Sequence, residues 1–130
     1  MKKKIIILGA GGALFDILEI LELLDLNDFE IYDDKEKTSK KIKIHGNINK
    51  AITKYKNKKN CFFVFGFGTA KTTKLRKFIF TKYLLSPKNL ITLIHPNASV
   101  SRYSSIGTGC VIKSNATILP GAKIGYNVII

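Results

Sequence analysis

Two cysteines in 130 residues, Cys61 and Cys110, leave no disulfide framework to expect. Both lie in apolar strand contexts and read as small buried hydrophobes. Histidine is equally scarce, with only His45 and His95, and no metal site is expected. The chain has no apolar run long enough to cross a bilayer, since Ile5 to Leu8 is far too short and runs into glycines rather than a cleavage site. Neither a membrane helix nor a signal peptide is expected, and a reducing cytoplasm is the default compartment. Acidic residues are few: nine Asp and Glu stand against 22 Lys and Arg, a formal charge of +13. Arginine is nearly absent from that excess. Only Arg76 and Arg102 offer the bidentate fork that reads phosphate and guanine, while the lysines are spread along the chain. Specific nucleic-acid binding is therefore not expected, although the field helps to attract an anionic substrate.

What is present begins with Lys4-Ile5-Ile6-Ile7-Leu8, a continuous apolar run suited to a parallel strand buried on both faces. Gly9-Ala10-Gly11-Gly12 follows, and then Leu14, Ile17, Leu18, Leu21 and Leu24 at helical spacing. A second strand is expected at Phe29 to Tyr32, ending in Asp33-Asp34. Strand, crossover helix and parallel strand make the opening unit of a nucleotide-binding α/β fold, right-handed at the crossover. The glycine turn would let a diphosphate approach free N–H groups at a helix N-terminus. The dinucleotide fingerprint wants a third glycine where Leu14 stands, so a standard NAD site is disfavoured. The same glycines could equally serve only a tight strand-to-helix turn.

Lys35 to Lys43 reads as a solvated loop, with His45 exposed beside it. Ile42, Ile44, Ile48 and Ile52 suggest a short strand and a helix. Cys61 to Phe65 is another buried strand, followed by a second glycine turn, Gly66-Phe67-Gly68-Thr69. A basic helix is expected from about Ala70 to Leu84, with Leu75, Phe78, Ile79 and Leu85 facing the core and Ser86-Pro87 ending it. Two glycine turns would then meet at the carboxyl edge of the sheet, where open α/β folds bind ligands.

From Ile94 the pattern changes. Ile94, Val100, Ile106, Ile112, Ile118, Ile124 and Ile130 fall at every sixth position, and a small or compact residue stands two places before each from Ala98 onward: Ala98, Ser104, Cys110, Ala116, Ala122 and Val128. A period of six belongs to the hexapeptide β-helix, three short strands per coil of eighteen, rather than to a pair of hairpins with accidental spacing. The eighteen-residue echo is direct: Asn97-Ala98-Ser99-Val100 returns as Asn115-Ala116-Thr117-Ile118, and Ile106-Gly107 as Ile124-Gly125. The asparagines and glycines suit corners of positive φ. The expected architecture is a small Rossmann-like α/β domain over residues 1–90, then the start of a left-handed parallel β-helix over residues 91–130. Two coils and the first residue of a third leave an apolar end that a further repeat or another surface must cover.

The order Ile-Leu-Gly-Ala-Gly-Gly, Tyr32-Asp33-Asp34, Phe65-Gly66-Phe67-Gly68, then Leu93-Ile94-His95-Pro96-Asn97-Ala98-Ser99-Val100 and the hexapeptides resembles the sialic acid O-acetyltransferase and UDP-amino-sugar N-acetyltransferase family of sugar acyltransferases. The resemblance runs along the whole chain. It implies an N-terminal domain that binds a nucleotide-linked sugar and a β-helix that trimerises and binds acetyl-CoA between subunits. Gly9, Gly11 and Gly12 would face the phosphates, Asp33 and Asp34 the nucleoside, and Gly66 and Gly68 the mouth of the pocket. Two departures are visible. Ala13 and Leu14 stand where the family commonly has histidine and glycine or a similarly small pair, and neither His45 nor His95 falls where the family places its base histidine. His95 is expected to hold a corner at the entry to the β-helix. No catalytic residue is therefore assigned, the acetyl-CoA site is expected to be incomplete, and little or no turnover is expected of these 130 residues. A non-catalytic nucleotide-sugar-binding or assembly module is the alternative.

Overall fold

The computed structural model describes residues 2–35, 42–67 and 70–130, with the side chain of Ala70 left aside. Strands β1 (Lys4–Leu8), β2 (Phe29–Tyr32) and β3 (Cys61–Phe65) form a parallel sheet in the order β2-β1-β3. The register places Ile5 beside Phe29 and Phe62, and Leu8 beside Tyr32 and Phe65. Because alternate side chains leave a strand on opposite faces, the uninterrupted apolar β1 serves two cores at once. Ile5 and Ile7 meet Leu14, Ile17, Ile20 and Leu21 of helix α1 (Leu14–Leu23). Ile6 and Leu8 meet Ile48, Ala51, Ile52 and Tyr55 of α2 (Ile48–Tyr55) and Ile79 of α3 (Thr73–Lys82).

Local chemistry sets the helix ends. Asn47 caps α2 by accepting from Lys50 N–H at 2.8 Å. Helices α1 and α3 both close by the same device, with Leu26 N–H bonded to Leu21 O and Leu85 N–H to Phe80 O around a left-handed residue, Asp25 or Leu84. The helix expected from Ala70 opens as a 3₁₀ turn, Ala70–Thr72, before α3 proper.

Beyond residue 90 come six two-residue strands: β4 (Leu93–Ile94), β5 (Ser99–Val100), β6 (Ser105–Ile106), β7 (Val111–Ile112), β8 (Thr117–Ile118) and β9 (Lys123–Ile124). They pair in parallel as β4-β7, β5-β8 and β6-β9, each partner eighteen residues on. The repeat read from the sequence is thus the observed stacking period. Both residues of each six-residue pattern point inward: Ile112, Ile118 and Cys110 are buried, with Ile94, Val100, Ile106, Ala98, Ala116 and Ala122 packed against them. The corner roles divide differently from expectation. Asn115 and Asn127 adopt φ of 64° and 59°, as do Gly109 and Gly121 at 80° and 83°, whereas Gly107 has no positive φ and is needed because a Cβ there would lie 2.7 Å from Gly125 O.

The two parts share a core. Leu93 and Val111 of the stack are buried against Ile5, Ile7, Val64 and α1. Four other expectations are corrected. Residues 42–45 form no strand: Ile42 and Ile44 are loop residues that fill the α1 side of the sheet. His45 is half-buried rather than exposed, because it runs along β2, donating to Ile31 O and accepting from Ile31 N–H on Nδ1 at 3.2 Å. Cys61 is half-buried at the start of β3, and only Cys110 is enclosed, where burial raises its thiol pKa. Leu75 and Phe78 face away from the core, 41% and 59% exposed.

Candidate nucleotide-sugar site

The turns after β1 and β3 cross at the carboxyl edge of the sheet. Their glycines make that crossing, since a Cβ on Gly66 would collide with the Gly9 carbonyl oxygen and a Cβ on Gly9 (φ +101°) would strike the Phe67 ring. Gly9 and Gly66 are buried. Gly9 N–H donates to Tyr32 O, Gly66 N–H donates to Leu8 O, and Gly66 O accepts from Ala13 N–H. These two glycines are therefore used by the fold itself, as the tight-turn reading holds. Gly11 and Gly12 remain at the surface, and among the described residues their N–H groups have no acceptor. Gly68 lies outside the described residues.

Beside this crossing opens a cavity of about 430 Å³, lined by Gly11, Asp33, Asp34, Ile48, Phe67 and one side of α3. Gly11, Asp33 and Asp34 are thus brought together, while Gly12 stands outside the lining. Each aspartate already has a partner. Asp33 Oδ2 accepts from Ala10 N–H at 2.7 Å, tying the glycine turn to the end of β2, and its Oδ1 accepts from Lys35 N–H. Asp34 Oδ1 accepts from Ile48 N–H at 2.9 Å, at the start of α2. A carboxylate has lone pairs for several donors, so Asp34, which lines the cavity, can accept from a ligand as well.

The opposite wall was not foreseen. Leu75, Phe78, Ile79, Lys82 and Tyr83 line it, with the Lys82 ammonium 5.8 Å from the Phe78 ring centroid and 5.2 Å from that of Tyr83. Leu75 and Phe78 sit here instead of in the core because the apolar residues of α3 spread over an arc wider than one buried face. That breadth was the available signal. Arg76, on another side of α3, donates from Nη1 to Phe67 O at 2.7 Å and so holds the second turn from behind.

Neither histidine reaches the cavity. His95 is buried, its Nδ1 accepting from Asn97 N–H at 2.9 Å, which fixes the corner where the stack begins. Among the described residues Nε2 has no hydrogen-bond partner, and it lies 3.8 Å from Glu19 Oε2 on α1. The second titrating cluster is at the other edge of the sheet. Burial pushes the Glu30 carboxyl pKa up, but the hydroxyls of Tyr55 and Tyr32, at 2.6 and 2.7 Å, and the Lys4 charge outweigh it and bring it down to about 2.

The chain is similar along 99% of its length to the acetyltransferase domain of PglB from Neisseria gonorrhoeae in complex with acetyl coenzyme A, at 22% identity and a TM-score of 0.80, covering 62% of that chain. It is similar along the same 99% to PerB from Caulobacter crescentus in complex with CoA and GDP-perosamine, at 20% identity and a TM-score of 0.72, covering 59% of that chain. Likeness at this identity shows the fold, and the chain spans about three fifths of the length of these structures. No protein of curated function matches it by sequence. The PglD N-terminal domain family matches residues 4–83, the sheet, the crossed turns and the cavity wall together, and the chain belongs to that family.

Proposed function

We propose that the chain is the nucleotide-sugar-binding part of an acetyltransferase that moves the acetyl group of acetyl-CoA onto an amine or hydroxyl of a nucleotide-linked sugar. Residues 1–90 form the binding domain, and residues 91–130 open a left-handed parallel β-helix of the kind that assembles as a homotrimer. The observation that carries this reading is the cavity, bounded by Gly11, whose N–H has no acceptor among the described residues, by two aspartates and by an apolar wall. A nucleotide sugar presents a complement to each: phosphate oxygens, the hydroxyl and N–H donors of its ribose and base, and flat apolar faces. In this arrangement Gly11 and Gly12 donate to phosphate, Asp34 accepts from the nucleoside, and Phe78 packs against a ring.

Acetyl-CoA supplies the acyl group as a thioester. Its arm needs an apolar flank rather than a charged pocket, and the exposed Tyr103 and Leu119 on the outside of the stack fit that need. What these residues do not bring to the cavity is a general base. Both imidazoles are engaged elsewhere, and that observation favours a second reading, in which the chain binds the nucleotide sugar or guides assembly while an intact relative performs the transfer.

Calorimetric titration with UDP-, CMP- and GDP-sugars tests the binding. Saturable heat is expected, and Asp34→Asn, which keeps an acceptor for Ile48 N–H, should weaken it. Absence of heat at millimolar ligand sinks the proposal. A thiol-release assay with acetyl-CoA and amino sugars should show no turnover, and robust turnover lost in His95→Ala would make His95 the base instead.

A further inference from the structure

Two clefts flank α3. With 3.6 residues per turn, Thr72, Leu75, Ile79 and Lys82 face the cavity just described, and Thr73, Arg76, Lys77 and Phe80 face about a third of a turn away. There a second cleft of about 380 Å³ separates α3 from the stack, which contributes Tyr126 and Asn127. Among the described residues no acidic one lines it.

Arg76 is the anomaly in its wall. It is only 9% exposed, yet its Nη1 is bonded solely to neutral acceptors, Phe67 O at 2.7 Å and Thr72 Oγ1 at 3.4 Å. Among the described residues no carboxylate stands within ion-pair distance of it. Burial lowers its pKa, but a guanidinium stays charged. A buried charge without a counter-charge is costly, and among the described residues both of its bonds fall on Nη1, while Nε and Nη2 make none. Arg76 itself lines the cleft. Lys77 adds a second cation at the rim. Tyr126, 62% exposed, and Phe80 supply aromatic surface opposite an otherwise charged wall.

We propose that this cleft is a second ligand site, which takes an organic phosphate: the phosphate on Arg76 and Lys77, the attached ring system against Tyr126 and Phe80. Two converging cations select phosphate over a carboxylate, and the volume exceeds what a bare ion fills. The site is separate from the nucleotide-sugar cavity, with α3 between them, and does not depend on the reading given for that cavity.

The test uses a peculiarity of composition. Arg76 and Arg102 are the only arginines, so a nitrogen-15 spectrum of arginine Nε–H groups holds two signals, and Arg102, exposed and stacked on Tyr103 with its guanidinium 4.9 Å from the ring centroid, is the internal control. Titration with adenosine monophosphate at constant ionic strength should move the Arg76 signal saturably and leave Arg102 in place. Inorganic phosphate should bind about tenfold more weakly, and acetate more weakly still. Lys77→Glu, an exposed change, should lower the affinity for both phosphates about tenfold, and Tyr126→Ala should erase the advantage of the nucleotide. Phe78→Ala, in the first cavity, should leave the Arg76 response unchanged. Equal movement of both arginines, no movement of Arg76, acetate as strong as phosphate, or a response abolished by Phe78→Ala would each overturn the proposal.

Discussion

The crossed turns of the sheet and the corners of the stack both depend on glycine, for different reasons. In the sheet, Gly9 and Gly66 allow two backbones from turns far apart in the sequence to touch. In the stack, Gly107 and Gly125 occupy one corner in successive coils, and the first is hemmed in by the second while a Cβ on Gly125 would meet nothing within 4 Å. In this corner the constraint on one coil comes from the coil stacked on it. A repeat makes its own neighbours, whereas a turn crossing has to find its partner across the fold.

Substitution should expose that difference. The largest effect is expected for Gly66→Ala, whose Cβ cannot be accommodated without moving the Gly9 carbonyl. The loss should exceed the about 1–3 kcal/mol of ordinary overpacking, and a thermal melt reads it. Gly107→Ala should fall within that range and Gly125→Ala close to zero. A drop for Gly125→Ala as deep as for Gly66→Ala would show that the stack corners are constrained by more than contact. Next comes Ile112→Ala at the buried centre of the stack, expected to cost about 2–5 kcal/mol by chemical denaturation.

Glu30→Ala should cost less, about 1–3 kcal/mol, by leaving the Tyr32 and Tyr55 hydroxyls without their acceptor. It also carries a pH signature. The folded-state pKa of about 2 lies below the ordinary 4.5, so the carboxylate's contribution is full above about pH 4.5 and is lost as pH falls towards 2. Denaturation curves of the wild type should weaken over that window, and those of Glu30→Gln should weaken less. The smallest stability change, within about 0.5 kcal/mol, is expected for Phe78→Ala, since the ring is 59% exposed. Its effect should appear instead as weaker nucleotide-sugar binding.

How legible each region was in the sequence follows from the same contrast. The eighteen-residue period of the stack was visible because every inward position repeats its chemistry, and the strand pairs fall in that register. The sheet was legible wherever a run was continuously apolar, as in Ile5 to Leu8, and the family resemblance drawn from the whole order of motifs holds. Leu75 and Phe78 were misread because helical spacing alone cannot separate a side chain facing the core from one facing a cavity. His45 was misread because its neighbours in the sequence are basic while its partner, Ile31, is fourteen residues away. The glycines could be marked as special, but which of them serve the backbone and which stay open depends on the position of Phe67, and no local pattern records that.

The seam where Leu93 and Val111 sink into the core beneath α1 bears on how such proteins can be recombined. A cut near residue 90 would be invisible in the topology, yet it would strip Ile5, Ile7 and Val64 of neighbours on one side and expose the first coil on the other. The two regions should therefore melt in one cooperative transition, and a chimera joining this sheet to a foreign stack should fold only if the donor carries matching aliphatic side chains at those two positions.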